Sequence, residues 1–469
     1  MTSLAQSSQN TSKPADRGFY FTAWRWHFYA GLFVAPFLLM LATTGLVMLW
    51  SSVLVGRDGE KLYSVTPASS VLPVSDQATA AFLSVPGGQI VQYIAPRTPE
   101  GSAIFRVKAD GKDTMIAVDP YRGEVLGQWE RRSALYDLAN KIHGTLMIGD
   151  VGDRLIEIAA GFGVVLIVTG LYLWWPREGK GLATVLIPQF AGRGRQLWKT
   201  LHQTIGFYVA AILLVFLVSG LTWAGVWGEK MTQAWSTFPA EKWDNVPLSD
   251  VTHASLNHNG VKEVPWTLEQ TPMPASGSSQ GKPGVPESRA VNLDSIVALA
   301  RSLGFEQRFQ LAFPNGETGV WTISRDTMSN DSANPLSDRT VHIDQYTGKI
   351  LADVAFGDYG AAGKAMAVGI AFHEGDMGVW NVALVTVFCL SVIFLSVSGL
   401  VMWWKRRPTN ARRLFAPAAP ASMALWKTGS IVMLGVSLLF PLTGLVLVGV
   451  LIIDFLIIRH VKPMKRALS

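Results

Sequence analysis

Cysteine is nearly absent from this sequence: Cys389 is the single example among 469 residues. A lone cysteine cannot form a disulfide within the chain, and it cannot build a zinc or iron–sulfur site that needs four thiolates. Cys389 lies within a long apolar stretch, where we interpret it as a small core residue. Iron–sulfur clusters with four cysteine ligands and redox disulfides within the chain are therefore excluded as electron carriers.

Charged residues are also scarce. They make up 16% of the chain, whereas about 25% is usual for a soluble globular protein. The apolar residues collect in stretches of about 20 residues or more, which is the length needed to cross a bilayer. We therefore predict an integral membrane protein, mainly an α-helical bundle of about five transmembrane helices in contact with lipid. The predicted spans are Phe28–Trp50, Leu155–Trp175, Thr204–Trp227, Val379–Trp404 and Thr428–Ile458.

The formal net charge is +6, but its distribution does not predict binding to nucleic acid. The basic residues gather in short loops between spans, and short basic loops remain in the cytoplasm. The N-terminal tail also carries basic residues, which places it on the same side. We therefore predict a multi-pass protein of the bacterial inner membrane with its long polar segments in the periplasm. The first span has the wrong length and flanks for a cleaved signal peptide, so we interpret it as a permanent anchor.

These predictions give an order of segments along the chain. The C-terminal tail is the one ambiguous segment, because the number of spans places it outside whereas Arg459, Lys462 and Lys465 favour the inside. The predicted segments are a cytoplasmic tail (1–26), a first span (27–50), a first periplasmic domain (51–153), a second span (154–176), a cytoplasmic loop (177–203), a third span (204–227), a second periplasmic domain (228–378), a fourth span (379–404), a cytoplasmic loop (405–427), a fifth span (428–458) and a C-terminal tail (459–469).

Matched motifs indicate that one unit occurs twice. Spans one and three end in Thr44-Gly45-Leu46 and Ser219-Gly220-Leu221, and spans two and four end in a Gly-Leu pair followed by Trp-Trp. In the polar segments, Asp119–Leu126 and Asp344–Leu351 each predict a β-hairpin with an Asp-initiated turn that contains glycine. The fifth span resembles half of a repeat and contains a proline at Pro441. Residues 264–290, rich in Pro, Gly and Ser, are predicted to form a flexible loop.

Four of the eight histidines occupy matched positions in the two repeats. His27 and His202 open spans one and three near the cytoplasmic surface, and His143 and His373 precede spans two and four near the outer surface. Histidines on facing helices can ligate a haem iron from both sides. Because iron–sulfur and disulfide carriers are excluded, two stacked bis-histidine haems are the simplest electron path across the bilayer.

Other residues near the cytoplasmic histidines are weaker candidates. Gly31 and Gly206 each follow a histidine by one helical turn, which leaves room for a flat ligand on that face. Arg25 and Lys199 are candidates to pair with haem propionates, although ordinary positive-inside charge is the favoured explanation of both. For any single histidine, an interfacial polar role is the alternative. The remaining histidines have no matched partner and are interpreted as surface residues; they are His253, His258, His342 and His460.

The two hairpins resemble PepSY domains, and the spans that begin with His27 and His202 resemble the PepSY-associated transmembrane helix family. The resemblance covers about residues 20 to 458 and implies a duplicated helical bundle with two periplasmic α+β PepSY-like domains. Members of this family include ferric-siderophore reductases such as the ferrioxamine reductase, which carry haem b. By resemblance, the metal ligands are His27, His143, His202 and His373. In the half-repeat Ser430 stands where His202 does, so the fifth span is not expected to hold a haem.

The resemblance therefore implies an oxidoreductase. Electrons from a quinol or a flavin-dependent donor would cross two bis-histidine haem b groups and reduce a periplasmic ferric siderophore, and reduction would loosen the bound iron. Two alternatives remain open at this point. One is a non-enzymatic sensor or protease-modulating protein that binds a peptide, because PepSY domains also occur in such proteins. The other is a siderophore or iron transporter, since repeats are common in transporters.

Overall fold

The computed structural model divides into two compact units, each assembled from separate stretches of the chain. The first unit consists of Met1–Thr43, Gly144–Gly228 and Phe388–Ser469, and the second of Thr44–His143 and Glu229–Val387. The long polar segments therefore supply most of the second unit. The structure describes residues 14–130, 135–177, 181–232, 245–257, 263–408, 414–417, 426–458 and 460–461.

The described residues form eleven α-helices and several shorter helical turns. The α-helices are α1 (Pro14–Leu54), α2 (Val74–Leu83), α3 (Leu135–Thr145), α4 (Asp150–Trp174), α5 (Ala183–Leu186), α6 (Arg195–Leu221), α7 (Leu293–Ser302), α8 (Ala361–Glu374), α9 (Val379–Arg406), α10 (Trp426–Leu439) and α11 (Pro441–Ile453). The shorter turns are π-helical at Trp227–Thr232 and Asp454–Ile458, and 3₁₀-helical at His253–Leu256, Pro335–Ser337 and Phe356–Asp358.

Five of the described helical segments are long and apolar enough to cross a membrane, which confirms a multi-pass membrane protein. Most helices continue past the predicted apolar boundaries, because the flanking residues favour helix even where they are polar. The longest, α1, extends about 60 Å at 1.5 Å per residue, more than the hydrocarbon core requires. The candidate spans are Phe19–Leu54, Asp150–Trp174, Arg195–Leu221, Val379–Arg406 and Pro441–Ile458.

The predicted fifth span, Thr428–Ile458, is divided into two helices at Pro441, where the sequence offered a kink. The chain leaves helical geometry at Phe440, with φ −129° and ψ 81°, and α11 starts anew at Pro441. Proline has no backbone N–H and restricts the residue before it to extended geometry, so the two helices cannot continue through this point. α11 packs on α4, where Thr443 of α11 contacts Gly161 of α4.

The second unit is built around one antiparallel sheet of eight strands. Its order is β10-β9-β8-β7-β1-β2-β3-β4, so two consecutive four-stranded meanders join edge to edge where β1 pairs with β7. The two polar segments predicted as PepSY-like domains therefore share one continuous sheet. Strands β5 and β6 pair with each other in a second, two-stranded sheet. The strands are β1 (Gln89–Ile94), β2 (Ala103–Ala109), β3 (Lys112–Val118), β4 (Val125–Glu130), β5 (Leu248–Thr252), β6 (Pro272–Pro274), β7 (Gln310–Ala312), β8 (Val320–Arg325), β9 (Arg339–Asp344) and β10 (Ile350–Ala355).

Both predicted hairpins are present, and their turns share one hydrogen-bond pattern. Oδ1 of Asp119 accepts from the backbone N–H of Tyr121 at 2.8 Å, and Oδ1 of Asp344 accepts from that of Tyr346 at 2.8 Å. The turn glycine has a positive φ in each hairpin, 73° in the first and 68° in the second, a conformation that glycine adopts without strain. The Asp-x-Tyr-x-Gly spacing is thus the signature of a buried aspartate that closes the turn.

A single hydrophobic core covers one face of the eight-stranded sheet. Helices α2 and α7 precede the two meanders and contribute Ala81, Ile296 and Ala300, all fully buried. They meet Phe105 and Phe309 from the two halves of the sheet in the same cluster. Because one core serves both halves, the halves form one packed body.

Residues 264–290 differ from their prediction as a flexible loop. This segment contains β6, and its side chains Trp266, Leu268 and Met273 are buried. Leu268 packs with Val354 of β10 in a smaller core cluster. Composition rich in Pro, Gly and Ser permitted a loop, but the apolar residues between them fix the segment to the sheet domain.

Candidate functional site

The first matched pair of histidines, His27 and His202, lies in the first unit. His27 is on α1 and His202 on α6, and their ring centroids are 6.4 Å apart with planes at 90°. Nδ1 of His27 is 3.0 Å from Oγ1 of Thr169 on α4, and Nδ1 of His202 is 2.7 Å from Oγ of Ser398 on α9. Four helices therefore position this pair, two by supplying the rings and two by binding their Nδ1 atoms.

The second matched pair, His143 and His373, lies in the second unit. His143 is in the last turn of α3 and His373 in the last turn of α8, and their ring centroids are 6.5 Å apart with planes at 87°. Nδ1 of His143 is 2.8 Å from Oγ1 of Thr44. Helix α8 ends directly after His373 at Gly375, whose φ of 84° requires glycine.

Both pairs fit a haem bound from two sides. A metal–imidazole bond is about 2.0–2.1 Å and the nitrogen lies about 1 Å from the ring centre, so two imidazoles on one metal have centroids about 6 Å apart. The observed 6.4 and 6.5 Å agree with that separation. The rings are too far apart for a direct hydrogen bond and are partly exposed, so the space between them is accessible.

The donor set also fits haem better than a bare metal ion. No cluster of three or more His, Cys, Asp or Glu side chains arranged to hold a metal occurs in the part of the chain that the structure describes. Four-coordinate sites for bare zinc need at least three protein ligands. A haem supplies four nitrogen ligands of its own, so two histidines complete the six-fold coordination of its iron.

The predicted glycines lie beside the first pair. A methyl group added at Gly31 would meet only Leu166, at 3.7 Å, and one added at Gly206 would meet only Leu395, also at 3.7 Å. An added methyl group would thus make an ordinary van der Waals contact at each position, and the role of these glycines beside a flat ligand remains a prediction. Sequence reasoning missed Gly170, where an added Cβ would lie 3.1 Å from Cε1 of His27.

The two predicted propionate partners differ in their surroundings. The Arg25 guanidinium donates to the hydroxyl of Tyr29 at 3.2 Å and to the carbonyl of Pro417. Lys199 lies one turn before His202 on α6 and is partly exposed. Both side chains stand near the first pair, and their pairing with a propionate remains a prediction.

A buried charged cluster surrounds the second pair. Arg57 donates to Glu374 at 2.7 Å and to Asp376 at 2.6 Å, directly after His373 in the chain. Asn330 donates to the other oxygen of Asp376 at 3.0 Å. Burial raises the pKa of Asp376 to about 7, and the Arg57 guanidinium opposes that rise.

Two of the histidines interpreted as surface residues are instead fully buried. His253 and His342 have no solvent exposure, and their Nε2 atoms are 2.8 Å apart. Nδ1 of His253 donates to the carbonyl of Thr271 at 2.7 Å, and Nδ1 of His342 is 3.0 Å from Oγ1 of Thr322. Each ring is thus bonded at both nitrogens, which identifies the pair as a packed polar element of the core.

The other two unmatched histidines complete the inventory. His460 is exposed, as predicted. His258 lies outside the described residues.

Burial lowers the pKa of His253 to about 4, and that of His342 well below its usual value, because a charged imidazole would lose its hydration.

Comparison with known families agrees with this arrangement. The family model for the PepSY-associated TM region matches residues 24–406, which include both histidine pairs, the first four spans and the sheet. The chain belongs to the PepSY-associated transmembrane family. The match ends before α10, so the broken fifth segment lies outside the family region. No curated protein sequence matches the chain.

Proposed function

We propose that this protein is a haem b electron-transfer protein of the bacterial inner membrane. In this proposal it takes electrons from a quinol or flavin-dependent donor on the cytoplasmic side and reduces a ferric siderophore on the periplasmic side. The observation that carries the proposal is the spacing of two histidine pairs, at 6.4 and 6.5 Å between perpendicular rings. Each pair suits one iron bound through two imidazoles.

A haem iron held in this way supplies a one-electron Fe(III)/Fe(II) couple. The chain's own part is to hold the imidazoles and to exclude competing ligands. His27 and His202 stand within candidate membrane-spanning helices and would hold the first haem there, in an apolar part of the chain. The sequence places the other pair at the opposite ends of the spans, which gives electrons a path across the bilayer.

The acceptor follows from the chemistry of iron release and from the family resemblance. Siderophore oxygen ligands favour ferric over ferrous iron, so one electron per Fe(III) loosens the complex. A quinol donor yields two electrons and two protons, and therefore serves two ferric ions. We place the docking surface on the sheet domain, whose two meanders we interpret as duplicated PepSY domains in the periplasm.

Transfer across a sealed membrane tests this proposal. The purified protein is placed in vesicles that enclose a reduced quinol, and ferrioxamine is added outside with a chelator that colours on binding Fe(II). We expect Fe(II) to form several times faster than in protein-free vesicles, and a His202→Ala variant to match the protein-free rate. Equal rates for the wild type and protein-free vesicles, at full haem loading, would overturn the proposed reductase function.

A further inference from the structure

Each hydroxyl that contacts a histidine of the first pair has its own proton committed elsewhere. Oγ1 of Thr169 donates to the carbonyl of Val165 at 2.6 Å, and Oγ of Ser398 donates to that of Leu395 at 3.0 Å. A hydroxyl has one proton, so towards the imidazole each oxygen can only accept. With the hydroxyl hydrogens directed at these carbonyls, the imidazole hydrogens are assigned to His27 Nδ1 and His202 Nδ1.

This arrangement fixes the tautomer of both rings. A neutral imidazole with hydrogen on Nδ1 presents a lone pair at Nε2. The two rings thus present metal-binding nitrogens before any metal is bound.

We infer that Thr169 and Ser398 are positioning residues that hold His27 and His202 in the iron-binding tautomer; this inference rests on the proposed function. Thr44 makes the equivalent contact to His143 in the second unit, at 2.8 Å. In the sequence each hydroxyl stands directly before a repeat glycine. At these three positions, Thr44, Thr169 and Ser398, the Thr/Ser-Gly pair contacts a histidine.

The glycine of the motif has its own part in positioning the ring. An alanine at position 170 would bring a Cβ within 3.1 Å of Cε1 of His27, whereas at Gly399 the corresponding distance to His202 is 3.7 Å. The first is tighter than ordinary contact and the second is ordinary contact. Gly170→Ala should therefore displace its histidine, and Gly399→Ala should leave its histidine in place.

Thr443 offers a matched control. It belongs to the same Thr-Gly-Leu motif, but its hydroxyl lies 3.4 Å from the carbonyl of Ile158 and contacts Gly161. Thr443→Val removes the same atoms as Thr169→Val. The two variants separate an effect on histidine from a general effect of losing a helix hydroxyl.

The test measures haem affinity and the midpoint potential of the bound haems. We expect Thr169→Val and Ser398→Ala each to weaken haem binding by about 10–100-fold and to make the potential more positive, because a less basic imidazole stabilises Fe(III) less. Thr169→Ser and Ser398→Thr should restore both values, and Thr443→Val should change neither. Wild-type affinity and potential in Thr169→Val and Ser398→Ala would overturn the inference and leave the proposed function intact.

A second readout does not depend on haem. Nitrogen-15 NMR of histidine in the haem-free protein distinguishes the two tautomers. We expect His27 and His202 to carry hydrogen on Nδ1 in the wild type and to give mixed tautomers in the two hydroxyl-free variants. Hydrogen on Nε2 in the wild type would overturn the assignment. A wild type that binds no haem, with hydrogen on Nδ1, would instead remove the proposed function alone.

An independent observation concerns the broken fifth segment. A Cβ added at Gly444 would lie 2.8 Å from Cβ and 2.9 Å from Cα of Ser437, although residues seven apart in one helix are separated by about 10 Å. The chain therefore reverses sharply at Phe440. Trp227, which follows α6 at the end opposite His202, donates to the carbonyl of Leu439 at 2.9 Å.

The residues after α11 return to the membrane depth at which α10 begins. Asp454 lies close enough to Tyr29 for a Coulombic interaction, and Tyr29 is half a turn beyond His27 on α1. We infer that α10 and α11 form a re-entrant hairpin, so that the C-terminus lies on the same side as the N-terminus. The basic tail after Ile458 then faces the cytoplasm, which resolves the conflict between the number of spans and the positive-inside rule.

Cysteine labelling tests this topology. In a Cys389→Ser background, Ser469→Cys and Thr2→Cys report the two termini, and Glu100→Cys reports an exposed loop of the sheet domain. We expect an impermeant maleimide to label both termini only after the membrane is opened and to label the loop before. Protease protection of a C-terminal tag gives the same information if a cysteine variant does not accumulate. Opposite sides for the two termini would overturn the hairpin.

Discussion

The two histidine pairs have the same geometry but different surroundings. Their centroid separations differ by little, 6.4 against 6.5 Å, and both have perpendicular rings. The first pair is anchored by hydroxyls within membrane-spanning helices, whereas the second stands beside the ionic cluster of Arg57, Glu374 and Asp376. Geometry sets which group can bind, and the charges nearby set how readily that group accepts an electron. The comparison teaches that equal ligation need not give equal potentials.

The largest expected effect separates the two pairs. His202→Ala should remove the haem of the first pair and His373→Ala that of the second, because a haem with one axial histidine is held weakly. Each variant should keep about half of the wild-type haem by pyridine haemochrome assay and lose ferric reduction. His460→Ala, at an exposed site, serves as the control. Full haem content in both variants would contradict the ligand assignment.

A second prediction concerns the charges beside the second pair. Arg57→Ala leaves the buried Asp376, and the partly exposed Glu374 beside it, without their cation, and loss of a buried ion-pair partner typically costs about 3–5 kcal/mol. Thermal unfolding in detergent should show this loss. Arg122→Ala is the control, because its ion pair with Asp119 is half exposed and should contribute about 0–1 kcal/mol. Similar losses of stability in the two variants would show that the buried cluster stabilises the fold no more than an exposed ion pair does.

The buried pair His253 and His342 predicts a pH dependence in the sheet domain. Both folded-state pKa values lie below the unfolded value of 6.5, so the unfolded chain binds more protons as pH falls. The contribution of the two neutral histidines to the free energy of unfolding should be fully present above pH 6.5 and should decrease towards pH 4. For His253 the decrease is roughly 3 kcal/mol, at about 1.4 kcal/mol per pKa unit.

An opposing group makes a variant necessary for this measurement. Burial raises the pKa of Asp338 to about 7, so its contribution is lost as pH rises instead. The double variant His253→Gln and His342→Gln removes only the histidine contribution. Chemical unfolding gives the free energy of unfolding of each protein. The difference between the wild type and the variant should decrease as the pH falls from 6.5 to 4. A difference that does not change with pH would contradict the assignment.

The smallest effect sharpens the comparison of the two pairs. Glu374→Gln removes a negative charge next to His373, and a negative charge favours Fe(III). The midpoint potential of the second haem should rise by tens of millivolts, while that of the first stays constant, in a spectroscopic redox titration. Glu124→Gln, in the exposed hairpin turn, controls for surface charge. Equal shifts in both haems would show that the cluster does not act locally.

Much of this architecture could be predicted from local patterns. Hydropathy identified the spans, because about 20 apolar residues have few other uses. The Asp-x-Tyr-x-Gly spacing identified both hairpins, because the aspartate and the glycine each satisfy a turn requirement within a few residues. Matched positions in the two predicted repeats singled out four histidines among eight, and the structure brings these four together as two pairs.

The remaining features depend on contacts that no local pattern records. Strands β1 and β7 pair at the edges of two meanders, and a sequence does not state which edges meet. His253 and His342 are 89 positions apart and have no matched histidine in the first repeat, so the sequence did not mark them as partners. Hydropathy continues unbroken through Phe440, which hid the reversal there. The hydroxyls before the repeat glycines were visible, but their role required the distances to the rings.

The most direct test of the central claim is the haem content of the purified protein. The protein is extracted in mild detergent, its spectrum is recorded oxidised and reduced with dithionite, and its haem is counted as the pyridine haemochrome. Two histidine pairs that each bind one iron predict a b-type spectrum with two haems per chain. A well-folded protein that stays colourless after haem supplementation would contradict the account and favour a peptide-binding role for the sheet domain.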